Sequence, residues 1–252
     1  EKNVFIMIQQ SKKQIWTWVP SLYFAEGLPY AMVMIVSVIM YKKLGLTNTD
    51  IALYTSWLYL PWIIKPLWSP IVDIFRTKRF WIITMQLLIG AGLAGVAFTI
   101  PSSDPLKYTM VFFWLLAFSS ATHDIAADGF YMHALSSHDQ SWMIGIRNSF
   151  YRFAILFGQG LLVMFAGIME FWTGKVTTAW SVTFGVLAGL FIIVSIYHRW
   201  TLPVPSSDYR RSHLKLSEAV QNFFQVFISF FKKPKIGLVI IFILFYRFGE
   251  AQ

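Results

Sequence analysis

Two stretches of this sequence, Phe80 to Ile100 and Val176 to Tyr197, each run for more than twenty residues without a charged side chain. A helix rises about 1.5 Å per residue, so either stretch crosses the roughly 30 Å hydrocarbon core of a bilayer. The whole chain agrees with that reading. Of its 252 residues 56% are hydrophobic and 13% charged, where soluble domains carry about 25% charged residues. It has 24 Phe, 11 Trp and 11 Tyr, more apolar bulk than a water-soluble domain of this size can hide. Runs of this length specify helices, and the fold class is an all-α membrane protein.

Seven spans are expected on this basis, at Ile15 to Tyr41, Ile51 to Ile71, Phe80 to Ile100, Tyr108 to Leu135, Trp142 to Met169 and Val176 to Tyr197, with a seventh starting near Ile236. The organisation predicted is a six-span bundle over 1–200, a cytoplasmic linker over 201–234 and the start of a second bundle over 235–252. The linker has an apolar stripe of Leu216, Val220, Phe223, Phe224, Phe227, Phe230 and Phe231, spaced as one face of a helix. Lys232, Lys233 and Pro234 end it, and a helix with that character lies in the membrane interface. The chain begins at Glu1 rather than Met and stops inside an apolar segment, which reads as part of a longer protein.

The net charge of +9 would suggest nucleic acid in a soluble protein. Here the basic residues occupy short loops and follow the positive-inside rule instead. Lys2, Lys12, Lys13, Arg76, Lys78, Arg79, Arg199, Arg210, Arg211, Lys215, Lys232, Lys233 and Lys235 fall on one side if the spans alternate, against Lys42, Lys43, Lys107 and Lys175 on the other. The N-terminus is therefore expected in the cytoplasm, with no nucleic-acid partner. Cysteine is absent, which excludes disulfides, thiolate catalysis and Cys-based metal sites.

Ionisable groups inside spans are costly and are functional candidates by default. They are Glu26, Lys65, His123, Asp124, Asp128, Arg147, Arg152, Arg247 and Glu250. By span they read acid, base, neutral, then acid, base, neutral again, the pattern nested three-helix inverted repeats leave. Counting from a turn near His138, Asp128 lies ten residues before it and Arg147 nine after, while Asp124 and Arg152 are each fourteen away. Asp128–Arg147 and Asp124–Arg152 are the expected ion pairs, either locking two helices or leaving a carboxylate for substrate or proton. Glu26 stands beside Gly27 and Pro29, where a break in the first span is expected. Without a partner in its own span, Glu26 is the better proton carrier, and the arginines suit anionic substrate groups. Lys65 has a second reading as a side chain snorkelling to the interface. His123 reads as a hydrogen-bonded helix residue, not a metal ligand, and Gly185 with Gly189 as a close helix contact.

Three segments carry a family likeness. Lys65-Pro66-Leu67-Trp68-Ser69-Pro70-Ile71-Val72-Asp73, Ser120-Ala121-Thr122-His123-Asp124-Ile125-Ala126-Ala127-Asp128-Gly129-Phe130 and Glu26-Gly27-Leu28-Pro29 resemble segments of AmpG-type muropeptide permeases. These belong, with acetyl-CoA transporters, to the major facilitator superfamily. The resemblance implies a transporter of twelve helices in two bundles, of which this chain holds the N-terminal six-helix bundle. It also implies proton symport of an anhydromuropeptide, a sugar-peptide of peptidoglycan recycling, across the bacterial inner membrane by a lipid-embedded monomer without cofactors.

Proton coupling then falls to Glu26, Asp124 and Asp128, and substrate binding to Arg147, Arg152, Arg247 and Glu250. A gating loop is drawn from Lys65, Asp73, Arg76, Lys78 and Arg79, although Ile74 stands where the superfamily has a basic residue and the usual glycine is missing. The rival readings are a facilitator for another amphipathic anion such as an acyl-CoA, an intramembrane enzyme, and a sensor that does not transport. Asp124 and Asp128 on one helix are poor material for an enzyme, which draws its groups from separate elements.

Overall fold

The computed structural model describes residues 11–206, 208, 221, 224–225, 228–229 and 231–250. All regular structure among them is helical. The helices are α1 (Lys12–Lys43), α2 (Asn48–Thr55), α3 (Leu60–Ile64), α4 (Ser69–Ile74), α5 (Lys78–Thr99), α6 (Pro105–Ala134), α7 (Ser137–Thr173), α8 (Val176–Thr201) and α9 (Ile236–Glu250). Five of them, α1 and α5 to α8, are long and apolar enough to cross a membrane. The chain divides into two compact units, Glu1–Arg210 and Arg211–Gln252. Of the second unit the structure describes α9 and scattered helical residues before it, among them the exposed Phe224 and Phe231. The other apolar positions of the expected linker helix lie outside the described residues.

Local chemistry sets the helix starts. Ser11 and Gln14 form a capping box ahead of α1. Thr77, Asp104 and Ser136 each accept a backbone N–H bond at the starts of α5, α6 and α7. Gly174, in the left-handed conformation at φ 65°, ends α7.

The second expected span is helical but not one helix. Tight turns at Ser56–Tyr59 and Lys65–Leu67 divide it into α2, α3 and α4. Pro61, Pro66 and Pro70 each stand in the first turn of a piece, where the missing N–H costs least. The first span departs from expectation in the opposite sense. It is not broken at Glu26–Pro29, because α1 runs on through Pro29 and widens into a π turn at Met32–Val36. Such a turn takes up the register that an internal proline disturbs.

In lipid, helices associate through close packing rather than hydrophobic burial. The most extensive contacts are α5 with α6, α5 with α8, and the first part of α1 with the first part of α7. Gly27 permits the last of these, since a Cβ there would lie 2.6 Å from the Tyr151 carbonyl oxygen. The expected packing role of Gly185 and Gly189 is not seen, because a Cβ at either meets nothing within 4 Å. Edge-to-face aromatic pairs fill the interior, Trp18 on Phe130 at 5.3 Å and Phe113 on Phe184 at 5.8 Å.

Candidate functional site

α6 carries the centre of the site. At Asp128 the carboxylate Oδ1 accepts from the Tyr23 hydroxyl at 3.1 Å and pairs with the Arg147 guanidinium at 3.1 Å. The guanidinium lies 4.6 Å from the Tyr23 ring centre and 5.1 Å from that of Tyr131. Two aromatic faces and one carboxylate therefore hold Arg147 in place. The expected Asp128–Arg147 pair is present, and it is partly open to solvent, with Asp128 43% exposed.

Asp124 is more deeply buried, one helical turn away, and its partner is not the expected one. Its Oδ2 accepts from Trp62 Nε1 at 3.1 Å and lies 3.6 Å from Lys65 Nζ. Both partners come from the broken second segment. Arg152 is exposed on α7, and no ion pair joins it to Asp124 among the described residues. Equal distance from the turn near His138 sets depth, but direction decides pairing. With 3.6 residues per turn, the five residues from Arg147 to Arg152 turn the helix by about 140°, so the two face different neighbours.

Glu26 is buried on α1, and its Oε2 has no hydrogen-bond partner. It interacts electrostatically with Asp124, Asp128, Arg147 and Lys65, so the five groups form one cluster. Three carboxyls face two fixed cations.

The residues assigned to a gating loop separate in two. Lys65 sits in the tight turn between α3 and α4, against Asp124 and apart from the other four. Asp73, Arg76, Lys78 and Arg79 do lie together at the start of α5. Lys78 pairs with Asp73, and its stem packs on Gly129 of α6. Arg76 adopts φ 68°, the left-handed region that favours glycine, and its guanidinium lies 5.4 Å from the Phe80 ring. Arg79 donates to the carbonyls of Arg199 and Leu202 at the end of α8. Asp208 accepts from the backbone N–H groups of Lys78 at 2.7 Å and Arg79 at 3.1 Å. The side chains of Arg247 and Glu250, also expected at the site, lie outside the described residues.

Sequence reasoning missed a second polar cluster. Gln86 Nε2 lies 3.0 Å from His123 Nε2 and 2.8 Å from His198 Nδ1, and His198 Nε2 is 3.0 Å from Ser21 Oγ. Gln86, His123 and His198 are fully buried. The signal was available, because Gln86 is an amide in an uncharged span and His198 follows the last apolar residue of another. A count restricted to charges passes over both.

Residues 21–249 match the sequence profile described as Major Facilitator Superfamily. The chain belongs to this superfamily. It is 25% identical over 243 residues to the anhydromuropeptide permease of Escherichia coli K12, covering 91% of this chain and 45% of that protein. It is 28% identical over 207 residues to an uncharacterized protein of Haemophilus influenzae, covering 76% of this chain and 44% of the relative. An uncharacterized protein of Schizosaccharomyces pombe is 28% identical over 145 residues, covering 52% of this chain and 28% of its own length. The chain thus spans less than half the length of these relatives. Its membership and its long apolar helices make it a multi-pass membrane protein.

Proposed function

We propose that this chain is the N-terminal part of a secondary transporter that imports anhydromuropeptides with protons across the bacterial inner membrane, working as a monomer with its N-terminus in the cytoplasm. The observation that carries this reading is the cluster formed by the buried Glu26 and Asp124 and the partly exposed Asp128 with Lys65 and Arg147. Charges so placed are costly, and those that persist pair with one another and mark substrate or proton pathways. Three carboxyls against two cations leave room for one exchangeable positive charge, the requirement of a symporter that loads and releases a proton. Glu26 carries that proton, Asp124 and Asp128 share the coupling, and Arg147 and Arg152 contact the substrate's carboxylates. The superfamily membership supports transport rather than catalysis, and the likeness to an anhydromuropeptide permease supports the substrate.

The test uses the full-length protein in proteoliposomes under an imposed proton gradient. Radiolabelled anhydromuropeptide should accumulate above its equilibrium level, and Glu26→Gln should abolish accumulation while leaving downhill exchange. Uptake of an acyl-CoA in place of the muropeptide moves the substrate to the other branch of the family. Accumulation by Glu26→Gln rules out Glu26 as the coupling group.

A further inference from the structure

Besides Arg147 Nε, which belongs to the Asp128 ion pair, four buried polar atoms around α6 have no hydrogen-bond partner: Ser120 Oγ, His123 Nδ1, Asp124 Oδ1 and, on α1, Glu26 Oε2. Buried polar groups in folded proteins are almost always satisfied, so four orphans in one region call for a ligand. Their placement is ordered. Each residue turns the helix by about 100°, so Ser120 points between the directions of His123 and Asp124, one turn away. Residues three and four apart on a helix are neighbours. Glu26 lies on α1, which packs against α6, and it interacts electrostatically with Asp124.

The second polar cluster bears on the hydrogen at His123. With the Gln86 amide turned so that Nε2 lies 3.0 Å from His123 Nε2, the amide donates, the ring nitrogen accepts, and the imidazole hydrogen is placed on Nδ1. The orphans are then one N–H donor at His123 Nδ1, a Ser120 hydroxyl that can donate or accept, and the carboxyl oxygens Asp124 Oδ1 and Glu26 Oε2, which accept where ionised. A water molecule donates two hydrogen bonds and accepts two. A hard cation suits the set less well, because the Nδ1–H cannot ligate it and Lys65 already stands against Asp124.

We propose that Ser120, His123, Asp124 and Glu26 bind internal water, and that Gln86 acts as a positioning residue by fixing the His123 tautomer towards it. The ionisable groups around the site are Lys65, Asp128 and Arg147 beside the carboxyls, and His198 behind Gln86. Bound water lets Asp124 and Glu26 share one proton without touching. Only this consequence rests on the coupling reading above; occupancy of the site does not.

The site is tested on the full-length protein in lipid bilayers with 15N-labelled histidine, using solid-state NMR and magnetisation transfer from water. His123 should be neutral with its hydrogen on Nδ1 and should receive transfer from water. Ser120→Ala should reduce that transfer about twofold or more, since the water loses one of its partners. Gln86→Glu, which accepts where the amide donates, should move the hydrogen to Nε2. No transfer at Nδ1, a hydrogen on Nε2 in the parent protein, or transfer unchanged in Ser120→Ala overturns the proposal. Accumulation by Glu26→Gln alongside normal transfer at His123 would remove the coupling role and leave the water site standing.

Discussion

Gly27 faces the Tyr151 carbonyl so closely that one added carbon would lie 2.6 Å from the oxygen. The obstacle is backbone, which cannot rotate aside as a side-chain tip can. Gly27→Ala therefore has to push α1 and α7 apart, an overpacking cost of about 1–3 kcal/mol. Thermal unfolding in detergent should show a clear loss of stability. Gly185→Ala and Gly189→Ala, where a Cβ meets nothing within 4 Å, should leave the melting temperature unchanged or raise it slightly.

Asp128 and Arg147 should behave as a unit. Because both are partly exposed, their coupling is screened, and we expect about 1–2 kcal/mol from a double-mutant cycle. Asp128→Asn and Arg147→Gln should each lower expression more than the double variant does. Simple addition of the two losses would mean that the ion pair contributes nothing.

A similar cycle distinguishes the two candidate partners of Asp124. Lys65→Met should worsen Asp124-intact protein and be partly rescued by Asp124→Asn, since removing one member leaves the other unpaired at low dielectric. Arg152→Gln should show no such coupling with Asp124. Coupling to Arg152 instead would contradict the observed pairing.

Asp208 caps two backbone N–H groups that begin α5. Losing a cap typically costs about 1 kcal/mol, so Asp208→Ala should reduce stability by about that amount or more. Asp208→Asn, which keeps an acceptor, should recover most of the loss. Equal damage from both variants would point to the charge rather than the cap.

Orientation is open to cysteine labelling, because the native sequence contains no cysteine. In intact cells Ser103→Cys should react with a membrane-impermeant maleimide and Ser206→Cys should not. The reverse pattern would invert the topology.

Much of the fold was legible in the sequence because lipid imposes a simple rule, a long uncharged run per helix. That rule found α1 and α5 to α8 within a few residues. It could not foresee that Pro61, Pro66 and Pro70 divide the second span, because hydropathy averages over a proline without noticing its missing N–H. The site was legible as a set of depths. Asp128 and Arg147 met because their depth and their direction both agreed, whereas Asp124 turned to Lys65 because direction depends on how helices pack around one another. Gln86 and His198 escaped notice because their importance lies in whom they touch rather than in any charge they bear.

The clasp of Arg79 on the Arg199 and Leu202 carbonyls, with Asp208 on the start of α5, has a consequence for leverage. Leu202 and Asp208, one and seven residues beyond Thr201, are bonded back onto the bundle they leave. The last described bond of this stretch to the bundle is made at Asp208. A tether's reach depends on its free length, so tying down its first residues shortens the arm through which the later segment can pull on the bundle. It also gives that pull a defined point of application, the start of α5 and the end of α8, and these are the two helices that hold Gln86 and His198 behind the site.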